Sequence, residues 1–279
     1  MRKRRLKSKM VEFWNKHEGY FQSARAANIN YSDEAHEYHR KALEYIPKGA
    51  MVLDVGCGTA EVGRDISRFA QYYGIDVSRI ALLMGKEYLN ASFNMVQGDI
   101  ANMPFHDETF DVILSLYSLE HFVEVRRTLE EMDRVLKVDG IMIFVSPAYD
   151  SPSAHPPSIT FSLGGIDQST YKRKILLPLD ITVYVLKRTM YASRQLLRQI
   201  NLYFNGKAHD FNLVSEPKCL NTEYVMDSDV TYIVSIREVR NWLCFSKRYR
   251  ILEISRGPFR FPFVEFFFVP TLFILTRKT

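Results

Sequence analysis

The sequence predicts an α/β fold built on a doubly wound, mostly parallel sheet. Three observations carry that expectation. Apolar β-like runs alternate with helix-like stretches between residues 51 and 145, the rhythm of right-handed βαβ crossovers. Gly56 and Gly58 stand where the first apolar run passes into a helix. Hydrophobic residues make up 47% and charged residues 25% of the 279, which excludes a disordered or fibrous chain and allows a sizeable core.

The elements follow in order. MRKRRLKSK at the start gathers Arg2, Lys3, Arg4, Arg5, Lys7 and Lys9 without an acid, and reads as a solvated, frayed end rather than a contact with anionic lipid or nucleic acid. Too short an apolar stretch follows for a secretory signal. Tyr31 to Tyr45 forms a mediocre amphipathic helix with Ser32 as N-cap, broken by Pro47 and Gly49. Strands are expected over Met51–Val55, Tyr72–Ile75, Phe93–Val96, Asp111–Leu116 and Gly140–Val145. Between them come helices over Glu61–Ala70, Ile80–Leu89 and Val123–Leu136. Regularity fails from Ser146 onward, where Pro and Ser accumulate and only helical patches such as Val183–Ile200 stand out. That helix mixes Val183, Val185, Leu186, Met190, Leu196 and Leu197 with Lys187, Arg188, Arg194 and Arg198. It reads as a packing helix with a solvated basic side in preference to a cover or a membrane-surface helix. Order returns with Ser235 capping a helix over Ile236–Leu243, then strands over Arg250–Ile254 and Leu272–Thr276 that close the same sheet. The aromatic run FRFPFVEFFFVP between them is expected to be a loop.

Chemistry concentrates in VLDVGCGTA, Val52 to Ala60. Gly56 and Gly58 permit a tight turn and a close approach of backbone to ligand. Where a dinucleotide fingerprint has its third glycine, this chain has Glu61, a carboxylate that would repel a pyrophosphate. With Asp54 on the same side, the charge favours a cationic ligand. Asp76 ends the second strand, 22 residues after Asp54, where a carboxylate can accept both hydroxyls of a ribose. Asp99, after the third strand, is placed to meet an adenine amino group. Carboxylates at three successive strand ends are hard to obtain by accident, although each alone could be a turn residue.

Taken together, VLDVGCGTA, GIDVS, QGDI, FDVILSLYSLEHF and LEEMDRVLKVDGIMIFVSP make Lys48–Pro147 resemble a class I S-adenosylmethionine-dependent methyltransferase. The likeness is to the branch typified by quinone-biosynthesis and related small-molecule enzymes. It implies a Rossmann-like sheet of seven strands with the last antiparallel, and S-adenosylmethionine as cofactor. Asp54, Gly56 and Gly58 would then line the methionine end, Asp76 the ribose, Asp99 with Ile100 the adenine, and Leu116 the floor near the reacting methyl. Ala60 departs from the glycine common in that family, a mild change.

The expected organisation is a basic segment and helical cap over 1–48, a cofactor-binding core over 49–147, an insertion or lid with substrate recognition over 148–229, and a closing unit over 230–279. Methyl transfer needs alignment and exclusion of water more than a dedicated base. His121 in SLEHF is a candidate base for a hydroxyl acceptor, and His155 a weaker one, but capping or packing is the preferred role of His121 and no catalytic residue is assigned. Cys57, Cys219 and Cys244 are scattered and lack metal-ligand spacing, so no metal and a reducing, cytoplasmic setting are expected, with peripheral membrane contact open. Phe259–Thr276 is too interrupted by Arg, Pro and Glu to span a membrane. The expected acceptor is a small molecule, partly apolar or lipid-linked. Nucleic acid is not favoured, because LYSLEH lacks the Asn/Asp-Pro-Pro-aromatic motif of many base methylases. RNA, DNA or protein methylation, an NAD-dependent oxidoreductase and a non-catalytic binding module are the alternatives. The oligomeric state is not legible.

Overall fold

A computed structural model describes residues 2–22, 37–89, 94–151, 178–205, 211–221, 228–261, 265–266 and 268–279. The strands are β1 (Met51–Val55), β2 (Gln71–Asp76), β3 (Asn94–Gln97), β4 (Phe110–Leu116), β5 (Leu136–Pro147), β6 (Tyr249–Ile254) and β7 (Thr271–Lys278). They form one seven-stranded sheet in the order β3-β2-β1-β4-β5-β7-β6. The first five pair in parallel and β7 runs antiparallel between β5 and β6. The doubly wound sheet and its antiparallel closure are therefore as expected. After β1 the chain moves to β2 on one side and later returns to β4 on the other, so the topological switch lies between β1 and β4. Open α/β sheets bind ligands beyond the strand carboxyl ends at such a point.

The described helices are α1 (Arg2–Trp14), α2 (Glu37–Glu44), α3 (Glu61–Ile66), α4 (Arg79–Leu89), α5 (Val125–Val135), α6 (Pro178–Phe204) and α7 (Ile236–Ser246). Alternation along the strands feeds two apolar layers. Leu53, Ile113 and Phe144 pack with Leu129 and Met132 of α5 and with Val239 and Trp242 of α7. Val52, Leu114 and Val145 pack on the other face with Ala42 of α2, Val62 and Ile66 of α3 and Leu82 of α4. Ser235 caps α7, its hydroxyl accepting from the amide of Glu238. The helix expected from Tyr31 and its Ser32 cap begin outside the described residues, as does His155.

The expected frayed N-terminus is wrong. Arg2–Trp14 is a helix whose Met10, Phe13 and Trp14 are buried against Ala81 and Met84 of α4, Val123 and Cys219. The apolar residues that follow the basic run recur at spacings of three and one and bury one face, while Lys3, Arg4, Arg5 and Lys9 remain exposed. The helix Val183–Ile200 also differs from expectation. It is part of the 27-residue α6, held by Arg198 and Gln199 on the buried Glu238 of α7, and Leu186, Met190 and Leu197 stand exposed instead of packing.

Candidate functional site

Strand register assembles the carboxylates. Asp54 lies opposite Gly74, and Asp76 opposite Gln97, so Asp54, Asp76 and Asp99 follow one another along the carboxyl ends of β1, β2 and β3. The loop after β1 folds back over β2, with the amides of Gly56 and Cys57 both donating to the carbonyl of Ile75 at 2.8 and 3.2 Å. That reversal demands left-handed backbone, at φ +74° for Gly56 and +54° for Gly58. Space is open where a Cβ on Gly58 would stand. A ligand can therefore approach this backbone closely, as the methionine end of S-adenosylmethionine requires.

Asp76 is half-buried and organises the turn. One carboxylate oxygen accepts from the Gly58 amide at 2.9 Å and the other from the Ser78 amide at 2.7 Å. Burial raises its pKa against those two hydrogen bonds. An ionised carboxylate offers about four acceptor positions, so lone pairs remain for a ribose diol. The residues present thus fit the expected cofactor.

Asp54 lies deeper, 4% exposed, and accepts a hydrogen bond from the Tyr72 hydroxyl at 2.8 Å. Burial pushes its pKa up to about 7, opposed by the Tyr72 hydrogen bond and assisted by the negative charges of Asp76 and Glu61. The sign of the consequence is definite. Below pH 7 the carboxyl is protonated, and a cationic ligand that favours its ionised form must release the proton. S-adenosylmethionine affinity is therefore expected to rise with pH up to about 7 and then level, with proton release on binding below that pH. Because the folded pKa lies above the ordinary 3.8, this group's contribution to ligand-free stability falls as pH rises through the same window. Calorimetric titration in buffers of different ionisation enthalpy checks the prediction, and Asp54→Asn should flatten the profile.

Asp99 has a partner that sequence reasoning missed. One of its oxygens accepts from the Ala101 amide at 2.9 Å, and the other from Lys7 of α1 at 2.6 Å. Lys7 also bonds Glu124, and the two carboxylates outweigh the burial that opposes its charge, raising its pKa. Ile100 is half-buried against the core. Between α1 and Asp99, Glu124 and Arg127 runs a cleft of about 800 Å³, within the range of cofactor sites. Arg5 and Lys7 have no signal in the sequence that separates one from the other, and only the helical path of α1 aims Lys7 at Asp99.

At the end of β4, Leu116 is half-buried and Tyr117 turns the chain out of the sheet with φ +50°. Ser118 then ties the two central strands together, donating to the Val55 carbonyl at 2.7 Å while its hydroxyl lies 2.9 Å from that of Ser115. The short turn Leu119–His121 follows. Its Glu120 carbonyl accepts from the amides of Thr231 and Tyr232, both at 2.9 Å, which pins residues 228–234 beside the site. His121 Nδ1 lies 3.2 Å from Oδ2 of Asp229, a fully buried carboxylate to which the Trp14 indole also donates at 3.0 Å. The Ser78 hydroxyl donates to the Trp14 carbonyl at 2.9 Å, joining this cluster to the loop of Asp76.

Comparison with known proteins agrees with this geometry. Residues 53–144 match a family described as a methyltransferase domain. The chain is similar to phthiotriol/phenolphthiotriol dimycocerosates methyltransferase 1 of Mycobacterium ulcerans, with 25% identity over 62% of this chain and 70% of that protein. It also resembles demethylmenaquinone methyltransferase of Staphylococcus haemolyticus, with 32% identity over 40% of this chain and only about half, 51%, of the relative's length. In fold it is similar to an S-adenosylmethionine-dependent methyltransferase from Mesorhizobium loti, with a TM-score of 0.53 and 15% identity over 88% of this chain and 98% of that one.

Proposed function

We propose that this chain, whose residues 53–144 match a methyltransferase domain, is a class I enzyme that transfers the methyl group of S-adenosylmethionine to an apolar or lipid-linked small molecule. The cofactor supplies a methyl carbon already activated by the adjoining sulfonium. In this reading Gly56 and Gly58 hold the methionine end by backbone with Asp54 beneath them, Asp76 holds the ribose, Asp99 and Ile100 the adenine, and Leu116 underlies the cofactor near the reacting methyl. These residues align the partners and α1 excludes water from one side of the site.

The observation that carries the acceptor class is α6, which lies outside the matched domain. Leu186, Met190, Leu197 and Phe204 recur at spacings of four and seven, so they share one helical face, and each is more than half exposed. Arg194 is exposed on the same helix, and Lys3, Arg4, Arg5 and Lys9 on α1 add positive charge with no acid among them. An exposed apolar stripe, and exposed basic residues, each suit an anionic lipid surface, where a basic residue is worth about 1 kcal/mol. No helix of the described residues is long and apolar enough to cross a membrane, so the contact would be peripheral. The two relatives named for phthiotriol/phenolphthiotriol dimycocerosates and for demethylmenaquinone support a lipid or quinone acceptor.

Flotation with phosphatidylglycerol vesicles, followed by transfer of labelled methyl groups into a lipid extract, tests the reading. We expect salt-sensitive vesicle binding that falls at least tenfold in Leu186→Glu/Met190→Glu, and label in the lipid fraction. Vesicle binding indifferent to anionic lipid, together with label only in water-soluble acceptors, would sink it.

A further inference from the structure

We infer that the loop joining β6 to β7, residues 255–270, docks this chain on anionic lipid, with Phe259 and Phe261 entering the interfacial layer and Arg256 and Arg260 meeting headgroup phosphates. The inference rests on the reading of an apolar or lipid-linked acceptor above and names the surface from which such an acceptor is taken.

Strand pairing puts this loop at the working edge of the sheet. β7 runs antiparallel to β5 and starts with Thr271 opposite Pro147, the last residue of β5. β6 ends with Ile254, paired to Ile274. The connection between them therefore opens at the carboxyl ends of the parallel strands, the edge that carries Asp54, Asp76 and Asp99. Those three stand at or just past the ends of β1, β2 and β3, which make up one half of the order β3-β2-β1-β4-β5-β7-β6. With the cofactor on that half, the acceptor has the half of β4, β5, β7 and β6 to approach from, and the loop borders it.

The backbone of the loop is fixed at both ends and across its middle. The Ala148 amide donates to the Pro270 carbonyl at 3.0 Å, and the Ser255 hydroxyl to the Thr271 carbonyl at 3.0 Å. The Gly257 amide donates to the Glu265 carbonyl at 2.6 Å, and the Glu265 amide to the Phe261 carbonyl at 3.0 Å. A Cβ on Gly257 would lie 2.8 Å from the Glu265 carbonyl oxygen, so glycine is what lets the two limbs meet. Phe266 and Val269 turn inward and join the core with Leu272 and Ile274. Phe259 and Phe261 go the other way, 44% and 69% exposed, and the ring of Phe268 backs that of Phe259 with centroids 5.5 Å apart. A lone exposed apolar residue is ordinary, whereas aromatic rings held outward by a fixed backbone make a patch suited to a partner.

Charge selects the partner. Arg256 and Arg260 are exposed beside those rings, and the only acid from 256 to 270 is the half-buried Glu265. A second copy of the chain would meet this patch with the same patch and bring the two arginine pairs together. An anionic bilayer offers phosphates to the arginines and an apolar layer to the rings at the same time.

Flotation of the full-length protein with phosphatidylglycerol and with phosphatidylcholine vesicles tests the loop. Phe259→Ser/Phe261→Ser should cut binding to the anionic vesicles by about tenfold or more. Arg256→Gln/Arg260→Gln should lower it severalfold and flatten its salt dependence. Both variants should keep the wild-type unfolding midpoint and S-adenosylmethionine affinity. Phe261→Trp should gain emission that brominated phosphatidylglycerol quenches, since Trp14 and Trp242 are buried. Vesicle binding that survives the phenylalanine and arginine changes but is lost in Leu186→Glu/Met190→Glu would overturn the loop and leave the contact to α6. A concentration-dependent dimer that Phe259→Ser/Phe261→Ser dissociates, without vesicle binding, would overturn it in favour of a second copy. No flotation of a wild-type protein that still transfers labelled methyl groups into a detergent-dissolved lipid extract would overturn the loop alone. No transfer into that extract by protein that binds S-adenosylmethionine would instead overturn the reading on which the inference rests.

Discussion

Asp76→Ala is expected to reduce S-adenosylmethionine affinity by two to four orders of magnitude while leaving a folded protein. The carboxylate holds the Gly58 and Ser78 amides and retains lone pairs for the ribose. Removing it both frees the turn that shapes the site and deletes charge-assisted hydrogen bonds worth about 1.5–3 kcal/mol each. Two such bonds lost from the complex correspond to roughly 10²–10⁴ in affinity. Asp76→Asn preserves the shape and one acceptor oxygen, so its loss should be intermediate. Calorimetric titration measures both variants, with thermal unfolding as the check on folding. Affinity within threefold of wild type in the alanine variant would remove Asp76 from the site.

Gly56→Ala is expected to lower stability by about 2–5 kcal/mol. Its φ of +74° costs an L-residue roughly 1–2 kcal/mol. The added Cβ would also lie 2.7 Å from the Ser118 Cβ and 3.1 Å from its hydroxyl. Ser118 cannot yield easily, because it is bonded to the Val55 carbonyl and lies against Ser115, and overpacking of that kind costs about 1–3 kcal/mol. Gly58→Ala separates the two effects. Its Cβ meets nothing within 4 Å, so the stability loss should be near 1 kcal/mol, whereas the methyl group occupies the open approach to the backbone. Denaturant unfolding and cofactor titration on the two variants should therefore diverge: Gly56→Ala loses stability first, and Gly58→Ala loses affinity first. Equal unfolding midpoints for the two would refute the close contact with Ser118.

Most of the sheet was legible because its information is local. Val52–Val55, Ile113–Leu116 and Ile141–Val145 are apolar runs flanked by turn residues, and strands buried on both faces have that appearance wherever they occur. Boundaries moved where pairing extends beyond the apolar run, as in β5, which starts at Leu136 and pairs with Phe110 before a bulge. The carboxylates Asp54, Asp76 and Asp99 could be noticed because each stands at or just past the carboxyl end of its strand, and a parallel sheet brings those ends together on one edge. The N-terminal helix was misread because six basic residues dominate its composition, while the face that decides its fate consists of Leu6, Met10, Phe13 and Trp14.

The sequence by itself determined the α/β architecture, the glycine turn and the acidic row, since period, turn chemistry and strand-end spacing are properties of neighbouring residues. Only the tertiary structure decided that Lys7 meets Asp99, that Tyr72 covers Asp54, that the stripe on α6 faces outward, and that Asp229 stands against His121 across 108 positions of chain. The physical reason is the same in each case. A carboxylate or an apolar face acquires its meaning from what burial removes water from, and which distant segment does the burying is set by the packing of the whole chain rather than by any local pattern.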